Sequence, residues 1–382
     1  MKQNIISYLS TIEDTIFSIS KFLYDNPEKS FNEYKSSKYI TDILSNFDFN
    51  IEKNFLNIDT AFSATYGNGH PKICFICKYT ADEINGHIYG NNVNAAITVA
   101  SALALKEIID KTNGTIVLLG CPGLYSNGSE VTITHENFFS DIDIILAPHV
   151  DISNSQSGSS MACIPLEIEY TLKGKDNNSL DYALFNLSSI NKIVNSSCNK
   201  CYIDNLNIDI NNHIHGNKIK EYIKFNIKST KISEAAIIDK NIRKYLNFLE
   251  EILDIEYNIS FENIPCKELI SNDILSRIFS NNLKENGIIN ICEPKIMEYP
   301  LSIGTASHTT PTIYPSISIT EDNNINCPSI EFRDLTLSSF CKDITLKSAA
   351  ALASTAIDFI ERADLLNEIT VNFYESLNKK NY

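Results

Sequence analysis

Seven histidines are present in this chain, and two of them sit in loop contexts suited to chemistry. His149 lies in Ala147-Pro148-His149-Val150, just after an apolar strand-like run, and His308 lies in Gly304-Thr305-Ala306-Ser307-His308-Thr309-Thr310-Pro311. An imidazole at such a place serves as a metal ligand or a proton carrier. A third, His87, belongs to a polar loop at 78–94, between the apolar run 73–77 and a small-residue helix at 95–110. The carboxyl ends of parallel strands are where α/β proteins build their sites. His213 and His215 alternate on an expected strand and read as a solvated or dimer-facing pair. Cys74 and Cys77 form a Cys-x-x-Cys, but on a strand they point to opposite faces and read as core thiols. Cys198 and Cys201 form a second one without a nearby partner pair, so neither a metal nor a disulfide is expected there. No P-loop, dinucleotide fingerprint, Gly-x-Ser-x-Gly elbow or His-Glu-x-x-His helix occurs.

The 78–94 loop resembles a segment of the dimetal aminoacylase, carboxypeptidase and amidohydrolase family. In the branch that cleaves N-acyl and N-aminobenzoyl amino acids, Glu-Tyr-Asp-Ala-Leu-Pro is followed by Gly-His-Ala-Cys-Gly-His-Asn. Here the two parts read Lys78-Tyr79-Thr80-Ala81-Asp82-Glu83 and Gly86-His87-Ile88-Tyr89-Gly90-Asn91-Asn92. The stretch 26–35 is similar to the same family's Asn-Pro-Glu-x-Ser opening. The resemblance implies two divalent cations that polarise a scissile carbonyl and acidify a water. It also implies five ligands, and this chain departs from most of them. Tyr89 stands for a cysteine ligand, Asn91 for a histidine, Tyr125 for a glutamate and Lys342 for the last histidine, while Leu124 replaces the general base. Only His149 is retained. The expectation is no metal cofactor, with zinc or manganese only if a site is rebuilt from His87, Cys121, Asp151 or Asp343. The family's lid histidine is missing from 174–178, whereas Asn217 keeps a carboxylate-binding asparagine and His308 matches a pocket motif.

The elements needed to position these residues can be read from periodicity. Apolar residues at helical spacing run over 4–24 and around Tyr39–Leu44, and strands are expected at 61–66, 72–77, 115–119 and 142–146. A helix between strands marks a βαβ unit and a mainly parallel sheet. From about Cys163 the order becomes βαββαβ, a ferredoxin-like insertion, and α/β patterning resumes at 264. The expected plan is an α/β catalytic-type domain, 1–163 with 264–382, interrupted by a lid or dimerisation domain at 164–263.

A length of 382 residues suits two domains. The net charge of −15 argues against nucleic acid and anionic membranes. With no leader-like N-terminus and ten cysteines, a cytoplasmic, mostly reduced protein is expected. The functional expectation is a homodimer that has lost hydrolysis and retains a cleft for a small carboxylate or N-acyl amino acid, lined by His149, His308, Asn217 and Lys342. The alternatives are an amidohydrolase with a rebuilt metal site, metal-free acyl or amide chemistry using His149, His308 and Lys342, or a structural subunit paired with an active paralogue.

Overall fold

The computed structural model describes residues 2–109, 113–172, 179–197, 200–215, 218–253, 255–322 and 324–380. Of the residues discussed above, Asn217, Cys198 and 174–178 lie outside them, as do the side chains of His213 and His215.

Short apolar runs flanked by turn residues form a six-stranded sheet. Its order is Asn50–Lys53, Phe62–Asn68, Gly114–Gly120, Lys72–Cys77, Ile144–Leu146 and Thr312–Ile313. The last four strands pair in parallel, while the first two run antiparallel at one edge. Strands buried on both faces are continuously apolar, and Lys72–Cys77 is of this kind. Cys74 packs into one layer and Cys77 into the layer on the other side, as the alternation required. Burial pushes the Cys77 thiol up to about 12, so it behaves as a small apolar side chain.

The small-residue segment forms a helix at Asn91–Ile109, starting earlier than its apolar period suggested. Alanine and serine along this helix let the C-terminal helix Ser339–Glu361 pack closely, with Ser101 Oγ 3.3 Å from the Ala349 carbonyl. Among the described residues it is the one helix long and apolar enough to cross a bilayer, but 89% of its apolar window is buried inside the protein. The N-terminal helix is broken in two at Ile12, giving Lys2–Thr11 and Glu13–Asp25.

The insertion is βαββαβ, as the pattern implied. Its strands are ordered Ile255–Phe261, Ser159–Leu172, Lys218–Ser229 and Tyr202–His215, all antiparallel. Helices Ser179–Ser197 and Ile232–Ile252 cover one face and share a separate core around Leu166, Ile223, Ile242 and Leu246. One expectation fails here: Cys201 is disulfide-bonded rather than a free thiol.

Candidate functional site

One cleft opens at the carboxyl ends of the parallel strands, with a volume of about 110 Å³. The loop after Lys72–Cys77 brings Lys78, Tyr89 and Asn91 to it; the loop after Gly114–Gly120 brings Leu124 and Tyr125; and the loop after Ile144–Leu146 brings His149 and Asp151. Residues widely spaced in sequence therefore meet because parallel strands end on the same side of the sheet.

Each loop is held by buried polar contacts. Glu33, fully buried, accepts hydrogen bonds from Thr60 Oγ1 at 2.9 Å, from Thr80 Oγ1 and from the Gly123 amide at 3.2 Å. This ties the first helical layer to two site loops. Asn91 spends its amide on the Thr80 carbonyl at 2.7 Å. Asn94 accepts from the Lys78 amide at 2.8 Å and donates to the Pro148 carbonyl. Gly90 has φ of +69°, and a Cβ there would stand 2.8 Å from Val150 Cγ1, so both backbone and space require glycine.

Tyr125 also has a positive φ, 50°, which a bulky residue adopts only when its surroundings dictate it. Its ring meets Tyr89 edge-to-face at 5.2 Å and Tyr299 at 5.5 Å. Such contacts contribute about 0.5–1.5 kcal/mol each beyond their buried area. Burial and the neighbouring Tyr89 hold the Tyr125 phenol well above its ordinary pKa, and burial pushes Tyr299 up to about 12. His149 stacks on Tyr314 at 5.0 Å, and the Tyr314 hydroxyl lies 3.0 Å from Nδ1. Burial lowers the His149 pKa, so the ring is neutral near pH 7, and its Nδ1 is engaged by the Tyr314 hydroxyl, leaving Nε2 as the other ring nitrogen. Burial opposes ionisation of Asp151, yet His149, Lys295 and the Ile152 amide together bring its pKa below the usual value. With His149 neutral, the Lys295 ammonium at 2.9 Å is the effective partner. Burial raises the Cys327 thiol to about 12, so it is not a thiolate. Lys78 Nζ sits 3.0 Å from Glu130, whose side chain is 2% exposed and also accepts from Ser302 Oγ at 3.0 Å.

The cleft thus gathers five positions singled out by sequence: His149, Tyr89, Asn91, Leu124 and Tyr125. Two others lie elsewhere. Lys342 is exposed on the first turn of Ser339–Glu361, with Nζ 5.1 Å above the Phe17 ring of the N-terminal helices. From the segment just before this helix, Cys327 and Pro328 reach the cleft instead. His308 points away, its Nε2 2.9 Å from the Glu268 carbonyl oxygen. Of the residues for a rebuilt metal site, only Asp151 is in the cleft. Cys121 is buried in the core, and Asp343 pairs with Lys347 on the surface at 2.7 Å. Sequence reasoning missed Glu130, Tyr299, Tyr314 and Cys327 as cleft residues, since no motif marks them.

His87 is 1% exposed, and neither ring nitrogen makes a well-formed hydrogen bond. Desolvation drives its pKa down to about 4, and the poorly aligned Leu23 carbonyl lifts it only slightly. The folded state therefore takes up this proton less readily than the unfolded chain, whose histidines titrate near about 6.5. Its stability contribution is complete above that pH and is lost as pH falls toward 4. The loss amounts to roughly 3 kcal/mol at 1.36 kcal/mol per pH unit. Urea denaturation at pH 7.5 and 4.5 should show a larger acid loss in wild type than in His87→Leu; equal losses would remove His87 from the account.

No protein-family model matches the chain. Among curated proteins it is similar to one of the subunits of the p-aminobenzoyl-glutamate hydrolase of Escherichia coli, 28% identical over 150 residues, 34% of this chain and 31% of that protein. That match spans about a third of the relative's length. The Xaa-Arg dipeptidase of Mus musculus is 20% identical over 98% of this chain and 92% of its own. Among solved structures, a dinuclear-metal-binding peptidase of the M20 family from Bacillus subtilis superposes with a TM-score of 0.64. It is 11% identical and covers 91% of this chain and 99% of its own. The chain shares the fold of this peptidase and is similar in sequence to these two hydrolases. The donor set of the cleft departs from the one that the resemblance at 78–94 implies. The Asn91 amide is committed to Thr80, Leu124 has no donor, and the Tyr125 phenol is held protonated. Among the described residues, no three His, Cys, Asp or Glu side chains come together to hold a metal ion. These residues do not fit a dinuclear metal centre.

Proposed function

We propose that this protein does not hydrolyse amides and uses its cleft to bind a small organic ligand, an N-acyl amino acid or a related aromatic amide. The observation that carries this reading is the Tyr89–Tyr125–Tyr299 array beside a neutral His149, at positions the family resemblance gives to ligands and base. Phenol faces and edges accept planar acyl or aryl groups, and the His149 Nε2 can form a hydrogen bond with an amide group. Lys342 is too far off to attract an anion, and Lys78 is already neutralised by Glu130. Recognition therefore rests on stacking and neutral hydrogen bonds more than on charge.

A thermal-shift series with N-acyl amino acids, including aminobenzoyl-glutamate, tests the reading. A ligand should raise the melting temperature of wild type and have at least tenfold weaker effect on Tyr125→Ala and His149→Ala. Equal shifts in all three proteins would reject the cleft as the binding site. The rebuilt-site alternative has only His149 and Asp151 as ordinary metal donors in the cleft. It would take over if elemental analysis after zinc loading and dialysis found about one metal per chain, lost in His149→Ala.

Homodimerisation through the insertion is part of the same proposal. Its two helices leave Leu184, Phe185, Ile237, Phe248 and Ile252 about half exposed, apolar surface of the kind that interfaces cover. Light scattering on wild type and Phe248→Asp tests this, with a dimer mass expected for the first and a monomer for the second.

A further inference from the structure

Two cysteines outside the cleft stand directly opposite one another where the chain passes into and out of the insertion. Cys163 lies on the long strand that leads into the inserted sheet, and Cys266 lies on the segment that returns from it. Each donates its backbone N–H to the other's carbonyl, at 2.9 and 3.0 Å, making an isolated antiparallel bridge. A hydrogen-bonded antiparallel pair of this type has its Cα atoms about 5.5 Å apart. That is within the window of about 4.4–6.8 Å that a disulfide spans without moving the backbone. Both thiols are free, and together with Val131 they form a small cluster separate from the three larger cores.

The two residues are each 1% exposed, yet both border a cavity of about 190 Å³ shared with Ser126, Asn205, Asn226 and Glu262. A small oxidant has room there; a protein thiol does not. The other buried thiols are different. Cys74 and Cys77 are sealed in the sheet, on opposite faces, and burial raises both.

We propose that Cys163 and Cys266 form a redox-active dithiol, a modification site that a peroxide-class oxidant converts to a disulfide. Cys163 is the attacking sulfur. The hydrogen bond from the Cys266 thiol, with Lys228 and Ser126, outweighs burial and the opposing Asp204 carboxylate and lowers its pKa, while the same bond and burial raise that of Cys266. The Cys163 thiolate attacks one peroxide oxygen and breaks the O–O bond, giving a sulfenic acid and, after protonation, one water. The Cys266 sulfur then attacks the Cys163 sulfur, the S–O bond breaks, and a second water leaves with the Cys266 proton. Two thiols and one peroxide become one disulfide and two waters. The bond closes a loop around the whole insertion and fixes the two connecting segments together. This inference does not depend on what the cleft binds.

The test uses the full-length protein, fully reduced and then treated with hydrogen peroxide in modest excess. The expected result is a non-reduced digest containing the Cys163 peptide linked to the Cys266 peptide, absent from Cys163→Ser and Cys266→Ser. The oxidised protein should melt higher than the reduced one, because a long loop is closed, and a thiol reductant should reverse the shift. In case the serine variants fold poorly, alkylation of reduced wild type by iodoacetamide supplies a second readout. Cys163 should react at least tenfold faster than Cys74 or Cys77. A linkage to another cysteine, oxidation of Cys163 to sulfinic acid without the crosslink, or alkylation of Cys163 no faster than Cys74 would each overturn the proposal.

Discussion

No turnover of N-acyl amino acids, dipeptides or aminobenzoyl-glutamate above the buffer blank is expected from the purified protein, with or without added zinc, manganese or cobalt. The largest single reason is Leu124. A positioned general base typically contributes about 10²–10⁴-fold, and a leucine side chain at that point of the cleft supplies none of it. The loss compounds with the donor set. The Tyr125 phenol is held protonated by burial and by Tyr89, and Lys78 sets an ammonium 3.0 Å from the buried Glu130. Any incoming cation would meet that ammonium. Leu124→Glu alone should therefore remain inactive, because a restored base still lacks an activated water. A rate of order 1 s⁻¹ or more, ordinary for an enzyme, that disappears in His149→Ala would instead establish a hydrolase built on a different ligand set.

Replacing Lys78 by methionine should destabilise the protein by about 3–5 kcal/mol, the range for removing one partner of a buried ion pair. Glu130 would keep its hydrogen bond from Ser302 but face the protein interior as an unpaired carboxylate, with 2% of its side chain exposed. The double variant Lys78→Met/Glu130→Gln should recover most of the loss, because no charge is then left behind. Urea melts of wild type, Lys78→Met, Glu130→Gln and the double variant give the coupling energy directly. A single-variant loss below about 1 kcal/mol, the usual worth of an exposed pair, would show that water reaches Glu130 freely. Lys21–Asp25, exposed on a helix, is the internal comparison and should fall in that lower range.

The architecture was legible because its signals are local. Lys72–Cys77 reads as a buried strand from six consecutive residues, and the βαββαβ insertion follows from the alternation of strand and helix periods. The likeness of the chain to these hydrolases was legible in the loop at 78–94 for the same reason: a tight turn at Gly90 and a helix start at Asn91 need particular residues in order. Tyr89, Asn91, Leu124 and Tyr125, singled out in the sequence, line one cleft because each lies in the segment that follows a parallel strand.

Local signals in the chain therefore carried the fold and the residue types in the segments after three parallel strands. Tertiary packing chose which distant segments complete the cleft. The sequence pointed to Lys342 for the C-terminal contribution and did not mark Cys327. Only packing of Ser339–Glu361 against Asn91–Ile109 puts Lys342 over Phe17 and leaves Cys327 facing His149's cleft. His308 is set in a convincing motif, but the Glu268 carbonyl holds its ring, and Glu268 comes from a segment 40 residues away that no local pattern couples to it. Cys163 and Cys266, 103 positions apart (266 − 163), become neighbours because the strand into the insertion and the segment out of it must run side by side. Local periodicity fixes the direction in which each side chain leaves its own element, and only the packing of whole elements fixes what it meets there.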